Sequence, residues 1–325
     1  MNDLQLRTPI EPLKYPFQIG YTDGLVLIGS CFVEHIGTQL TQLGFNTVMN
    51  PSGIVFNPKS IFTTLNHVLT NKQYRESDLI FNRQLWCSLD HHGRFSSTNV
   101  LETLNLMQQE IDTAHQKLKT AQFLWLTFGT AYAYKYLEKN QYVANCHKFP
   151  SHYFEQNLLS TSEIVSDFES VITSLKRFNP EIKIIFSISP VRHLANGLVG
   201  NTRSKSILLT AVHQIIENAA DCFYFPSYEI LMDDLRDYRF YSSDLCHINE
   251  IGVTYIWNYF KDCFFSQETL LLQAQAEQLL KDLNHRSIYE NSLDDKRFKQ
   301  KLEEKKEKLI AEMLSNALKK PIAKH

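Results

Sequence analysis

A chain of 325 residues with 43% apolar and 21% charged residues has a globular composition, long enough for one large domain with an appendage. A formal net charge of −2 argues against a polyanion or an anionic membrane surface, so neither nucleic acid nor membrane is an expected partner. Cysteines at 31, 87, 146, 222, 246 and 263 lack any Cys-x-x-Cys spacing and read as free thiols in a reducing compartment.

The start, Met1 to Gln5, lacks a basic stretch followed by an apolar core, and no apolar run reaches the ~18 residues of a spanning helix. A cytoplasmic protein is the expectation. Pro9, Pro12 and Pro16 argue for an irregular lead-in. Leu25 to Gly29 then reads as a buried strand, apolar without alternation, as a parallel sheet covered on both faces requires. From Phe32 the period becomes helical, through Val33, Ile36 and Leu40. Gly44 to Met49 predicts a short strand that ends in the turn cluster Asn50-Pro51-Ser52-Gly53, and Asn57-Pro58 opens another helix.

Residues 78–95 alternate loosely and predict a hairpin or an excursion outside the main sheet. A long amphipathic helix over 102–118 leads to a second buried strand at 123–130, and Tyr132, Tyr134 and Tyr136 keep the chain extended. Helices over 162–178 and 204–219 alternate with strands at 183–190 and 222–226. A short helix or loop is expected over 233–240, and a helix over 250–264. Such alternation argues for a parallel sheet sandwiched between helices. The pattern divides the chain into an α/β domain over 1–265, with its core about 22–262, and a charged helical C-terminal extension over 266–325. In the extension, Leu272, Ala276, Leu279, Leu280 and Leu283 form one stripe, and Leu302, Leu309, Ile310, Met313 and Leu318 offer a face for homo-oligomerisation. A solvated helical appendage is the plainer reading of the charge-dense stretch 294–308.

Two stretches carry chemistry. Ser30 and Cys31 fall at the carboxyl end of the first strand and the amino end of the following helix, where open α/β sheets bind ligands. Nucleophile-type side chains there lie beside backbone N–H groups with no helical partner, a place suited to acyl transfer. Far downstream, Asp244-Leu245-Cys246-His247 puts a carboxylate three residues before an imidazole. The carboxylate can hold one ring nitrogen while the other acts as a base. A tight turn of small residues and a helix-capping Asp are the plainer readings of each. Cys146-His147, Cys246-His247 and Cys31 do not make a metal centre by spacing, because sequence-adjacent ligands on an extended chain point apart. No metal and no cofactor are expected. His147, His152, His193, Arg192 and Lys205 read as cleft or surface polarity, with Arg192 and Lys205 also candidates for binding a substrate anion.

Gly29-Ser30-Cys31-Phe32-Val33 resembles the signature of the GSCFA family, with Val where the family has Ala. Similar blocks are Asn50 to Gly53 with Phe56-Asn57-Pro58, Leu126 to Ala131, Asn145 to Lys148, Ser189 to His193, and Asp244 to His247. That family is similar to the SGNH (GDSL-type) hydrolases. The resemblance implies a three-layer α/β/α sandwich of flavodoxin-like type and deacylation of an ester through an acyl-enzyme. Strict register with the superfamily's Gly-Asp-Ser block puts Cys31 on the nucleophile; a turn shifted by one residue puts Ser30 there. Asp244 and His247 match the final block as orienting acid and general base. Gly53 matches the second block's oxyanion donor. The third block, Gly-x-Asn-Asp in the superfamily, reads Gly129-Thr130-Ala131-Tyr132 here, so its side-chain amide is missing and Asn145 or Thr130 is the expected substitute. His147 and Arg192 join Gly129 as substrate-binding candidates. The implied substrate is a small ester or an acylated carbohydrate; an O-acyltransferase and a catalytically silent binding scaffold are the alternatives.

Overall fold

A computed structural model of the protein describes residues 7–283 and 293–315. In chain order its elements begin with β1 (Leu25–Gly29), α1 (Cys31–Gln42), β2 (Thr47–Met49), α2 (Pro58–Thr70), β3 (Ile80–Asn82), β4 (Leu85–Cys87) and α3 (Val100–Thr120). There follow β5 (Phe123–Phe128), β6 (Tyr132–Tyr136), β7 (Gln141–Val143), β8 (Phe154–Leu158), α4 (Thr161–Phe178), β9 (Lys183–Ile188), α5 (Gly197–Asn218) and β10 (Cys222–Phe225). The one-turn α6 (Ser227–Glu229), α7 (Glu250–Phe264), α8 (Gln267–Leu283) and α9 (Leu293–Ser315) complete the described chain.

Two compact units divide these residues. The first gathers Met1–Ile10, Gly24–Gly37 and Thr47–Ile256. Its centre is a five-stranded parallel sheet in the order β10-β9-β5-β1-β2, flanked by helices. Counting only these strands, the order is 2-1-3-4-5, the flavodoxin-like arrangement, in which the crevice lies outside the carboxyl ends of the first and third strands. Side chains alternate across the pleat. Val26, Ile28, Leu124, Leu126, Phe128, Ile184, Phe186 and Ile188 share one core with helix residues such as Ile61, Ile111, Phe168 and Leu208. On the opposite face Leu25, Leu27, Trp125, Ile185 and Phe225 are also buried, which is why the strands read as continuous apolar runs.

The first helix boundaries follow from local chemistry. Asn57 caps α2 through its side chain on the Ser60 N–H, with Pro58 at the first turn. A reciprocal Ser160–Glu163 capping box opens α4. The predicted hairpin is present as β3–β4. The antiparallel sheet β7-β6-β8 was only one-third visible in the sequence: Tyr132–Tyr136 reads as extended, whereas Phe154-Glu155-Gln156-Asn157-Leu158 is too polar to announce a strand and forms one by pairing along β6. Helix α5 begins seven residues before the predicted position 204, because Gly197 and Gly200 mask its first turns. Gly200 sits in the helix where a Cβ would lie 3.2 Å from the Tyr132 hydroxyl.

The second unit comprises Glu11–Asp23, Thr38–Asn46 and Trp257–His325. Aromatic stacking holds it: Tyr21 on Phe45 at 4.0 Å between centroids, Phe45 on Phe265 at 5.0 Å, and Tyr15 on Phe264 at 4.4 Å. The N–H of Ile19 donates to the Phe264 carbonyl at 2.8 Å. Helices α8 and α9 pack together, and Leu272, Ala276, Leu302, Leu309 and Met313 are buried. Three of the five residues read as an oligomerisation face are therefore turned inward; Ile310 is exposed, and Leu318 lies outside the described residues. Among the described residues no helix is long and apolar enough to cross a membrane.

Gly29 sets how closely β1 meets β5. It adopts φ +154°, and a Cβ there would stand 2.3 Å from the Thr127 carbonyl oxygen. Gly29→Ala is expected to destabilise the protein by about 3 kcal/mol or more. Gly93→Ala, where an added Cβ meets nothing within 4 Å, is the control. Thermal melts of the two variants check this, and equal melting temperatures would refute the steric account.

Candidate active site

The turn after β1 is held from three sides. The Gly29 N–H donates to Asn50 Oδ1 at 2.8 Å, the Ser30 N–H donates to the Thr127 carbonyl at 3.3 Å, and the Val55 N–H donates to the Gly29 carbonyl at 3.1 Å. Asn50 is wholly buried with φ +47°, a left-handed conformation that Asn tolerates, and Arg94 Nη2 donates to its carbonyl at 2.7 Å. Sequence reading took Asn50 only as part of a turn cluster. Its support of the Gly29 turn depends on a contact across 21 residues.

The turn presents its two candidate nucleophiles differently. Ser30 is fully buried, and its Oγ has no hydrogen-bond partner among the described residues. Cys31, the first residue of α1, is partly exposed. Sequence reasoning expects a helix amino terminus to favour a thiolate. Here burial dominates and raises the Cys31 pKa, against the lowering effect of the Phe32 N–H, the Lys205 ammonium and its own N–H; Glu34 adds to the rise. The resting group is a thiol.

The Asp244–His247 loop carries an imidazole oriented by a carboxylate. Asp244 Oδ2 accepts from His247 Nδ1 at 2.6 Å, while Oδ1 accepts the N–H groups of Cys246 and His247 at 2.9 and 3.0 Å. The His247 hydrogen bond, with the two N–H groups, holds the Asp244 pKa down to about 2, so the carboxylate stays ionised and Nδ1 carries the proton. Nε2 is then the basic nitrogen. Both side chains are about half exposed, so the pair opens to solvent.

Arg192 ties this loop to the sheet. Its N–H donates to the Cys246 carbonyl at 3.2 Å, its Nη1 donates to the Leu245 carbonyl at 3.2 Å, and its guanidinium lies 4.2 Å from the Tyr241 ring centroid. Because Arg192 follows the carboxyl end of β9, the Asp244–His247 loop lies at the same sheet edge as Ser30 and Cys31. Electrostatics agree: the His247 ring acts on His35, one turn along α1 from Cys31, and on His193. These contacts make Arg192 a holder of this loop.

The expected oxyanion donors are engaged elsewhere. The Gly53 N–H closes the 50–53 turn on the Asn50 carbonyl at 2.7 Å, and Gly53 is a glycine because a Cβ would meet His92 at 2.3 Å. Asn145 Oδ1 accepts the His147 N–H, and Asn145 lines a separate cleft with Asn82, Arg83 and Gly93. His147 Nε2 donates to the carbonyls of Ser88 and His91 at 2.7 and 3.1 Å, a structural bond between loops. Thr130 shares its hydroxyl with Ser204 and accepts the Tyr132 N–H, and the N–H groups of Gly129 and Thr130 both donate to the Phe56 carbonyl. Tertiary packing commits the N–H groups of Gly53, Gly129 and Thr130 to backbone carbonyls, and Asn145 uses its Oδ1 to hold the His147 N–H.

Lys205 lies beneath this edge, 1% exposed. Its Nζ donates to the carbonyls of Gly129 at 2.7 Å and Ser189 at 2.5 Å. Burial lowers its pKa to about 7, and Cys31 opposes that fall. Its mid-helix position gave no sign of this. Among the described residues no group of His, Cys, Asp and Glu has the arrangement of a metal site.

The family model described as GSCFA family matches residues 24–260. Similar solved structures include a family two carbohydrate esterase from Clostridium thermocellum in complex with cellohexaose, 10% identical, with TM-score 0.38, covering 83% of this chain and 67% of that one. A carbohydrate esterase family 3 from Talaromyces cellulolyticus is 9% identical, with TM-score 0.35, covering 80% and 99%. The Clostridium thermocellum family 3 carbohydrate esterase is 13% identical, with TM-score 0.31, covering 74% and 93%. No curated protein sequence matches the chain.

The raised pKa of Cys31 has a direct readout. Its alkylation by iodoacetamide, followed by peptide mass spectrometry, is expected to climb with pH through and beyond the ordinary thiol value of about 8.5. A plateau reached at or below pH 7 would show a resting thiolate instead.

Proposed function

The chain belongs to the GSCFA family, and we propose that it is an ester hydrolase that deacylates a small ester or an acylated carbohydrate through a thioester on Cys31. The observation that supports this reading is that a partly exposed thiol follows the carboxyl end of β1 while Arg192, past the carboxyl end of β9, holds the loop of a carboxylate-oriented imidazole. Ser30 is wholly buried whereas Cys31 is partly exposed, which supports Cys31 over its neighbour.

In this reading His247 Nε2 takes the thiol proton as Sγ attacks the acyl carbon, and the carbonyl π electrons move to oxygen. The N–H groups of Cys31 and Phe32, which bond the sulfur at rest, are the proposed backbone donors to that charge. Collapse breaks the bond to the alkoxy oxygen, which takes the proton from His247. Water then adds with His247 as base, the C–S bond breaks, and the proton returns to sulfur. Asp244 fixes the tautomer and stabilises the transient imidazolium. The half-exposed base supports a substrate larger than a buried pocket would admit, and the exposed Tyr238 ring beside Arg192 offers an apolar face to a sugar.

Wild-type protein is expected to hydrolyse p-nitrophenyl acetate and to release acetate from an acetylated glycan. Cys31→Ala and His247→Ala are expected to lose on the order of 10³-fold or more in kcat, and Asp244→Asn on the order of 10²-fold. Ser30→Ala retaining activity alongside inactive Cys31→Ala assigns the nucleophile; the reverse pattern would transfer it to Ser30. Acetyl transfer to added glycan in preference to water would identify an O-acyltransferase. No turnover of any acyl ester by the wild type would leave a binding scaffold.

A further inference from the structure

The proposed chemistry leaves the oxyanion short of a donor. Ala131 has no polar side chain, the N–H groups of Gly53, Gly129 and Thr130 are bonded to carbonyls, and Asn145 belongs to another cleft. Losing one such donor elsewhere costs about 10²- to 10³-fold in rate. A replacement has to be a hydrogen-bond donor at the same sheet edge, held rigidly, and not already paired.

His193 meets these conditions. Its Nε2 is buried with no hydrogen-bond partner among the described residues, a situation that in a folded protein calls for an explanation. That nitrogen lies 3.0 Å from where a Cβ on Gly129 would stand, so the glycine clears the space the imidazole occupies. The ring is fixed from two directions: its backbone N–H donates to Asn201 Oδ1 at 2.9 Å, and Phe56 packs on it in a T-shaped contact at 5.0 Å between centroids. Lys205 and His247 both act on His193 electrostatically, and Lys205 acts on Cys31 in turn, which groups His193 with the proposed base and nucleophile.

The protonation state also fits. Burial first, then Lys205 and His247, lowers the His193 pKa to about 4, so the ring is neutral at physiological pH. A neutral imidazole carries one N–H, can polarise a carbonyl, and does not compete with His247 for the thiol proton.

Resting on the deacylation reading above, we propose that His193 is a further catalytic residue, the oxyanion donor of this site, presenting Nε2–H to the substrate carbonyl oxygen in place of the absent side-chain amide. No bond to His193 forms or breaks; its hydrogen bond strengthens as negative charge gathers on the oxygen and relaxes when the alkoxide leaves.

The test compares full-length wild type with His193→Phe, His193→Gln and Cys31→Ala, using p-nitrophenyl acetate, thermal melts and iodoacetamide alkylation of Cys31. Alkylation involves no carbonyl oxyanion and needs no such donor. The expected result for His193→Phe is a kcat lower by about 10²-fold, a KM within about threefold of wild type and an unchanged alkylation rate, with His193→Gln recovering part of kcat. A kcat for folded His193→Phe within about threefold of wild type, while Cys31→Ala is inactive, overturns this assignment and leaves the hydrolase reading standing. Full activity in Cys31→Ala, or no turnover by the wild type, overturns the hydrolase reading and this inference with it. Should His193→Phe fail to fold, His193→Gln and His193→Met decide the matter, and equal kcat values in those two overturn the proposal.

Discussion

A buried lysine that donates to two carbonyls ties together the loops at the carboxyl ends of β5 and β9. Lys205 reaches from α5 to the chain just past β5 and just past β9, bonding the Gly129 and Ser189 carbonyls. Those carbonyls stand at the ends of strands, where the ladder no longer supplies partners, and leaving them unpaired in the interior would cost free energy. Lys205 Nζ satisfies both and fixes the spacing of the two loops. Gly129 lies on one of them, and His193 follows on the other.

Around that bond the polar atoms divide into two groups. Asn50, Thr130, Arg192 and His147 close loops: each side chain is bonded to backbone or to a neighbouring hydroxyl. Ser30 Oγ and His193 Nε2 are buried without partners among the described residues, and the Asp244–His247 pair stands half in solvent. Rigid support under a few uncommitted groups is the arrangement that preorganised catalysis requires. It also explains why residue type alone was a poor guide to role. A glycine N–H or an asparagine side chain can hold an oxyanion or a turn, and only the bonds it makes distinguish the two.

The fold was legible in the sequence because burial on both faces leaves a local signature. Leu25–Gly29, Phe123–Phe128 and Lys183–Ile188 are apolar runs flanked by helical periods, and the sheet uses them as expected. Gly29-Ser30-Cys31 and Asp244-Leu245-Cys246-His247 were legible for a similar reason, since a strand-to-helix turn and a carboxylate–imidazole loop are each built from neighbours in the chain. The polar strand β8 and the early start of α5 were not, because pairing along β6 and contact with Tyr132 decide them.

By itself the sequence determined the parallel α/β class, the strand-to-helix turn at Gly29-Ser30-Cys31 and the pairing of Asp244 with His247, all of which depend on interactions within a few residues or on a simple period. Only the tertiary structure decided that Cys31 is partly exposed and Ser30 buried, that Arg192 and Lys205 bond loop carbonyls, and that His193 Nε2 has no hydrogen-bond partner among the described residues. Those facts rest on desolvation and on hydrogen bonds across tens of residues. Local pattern carries no record of what a side chain will meet once the loops close over the sheet.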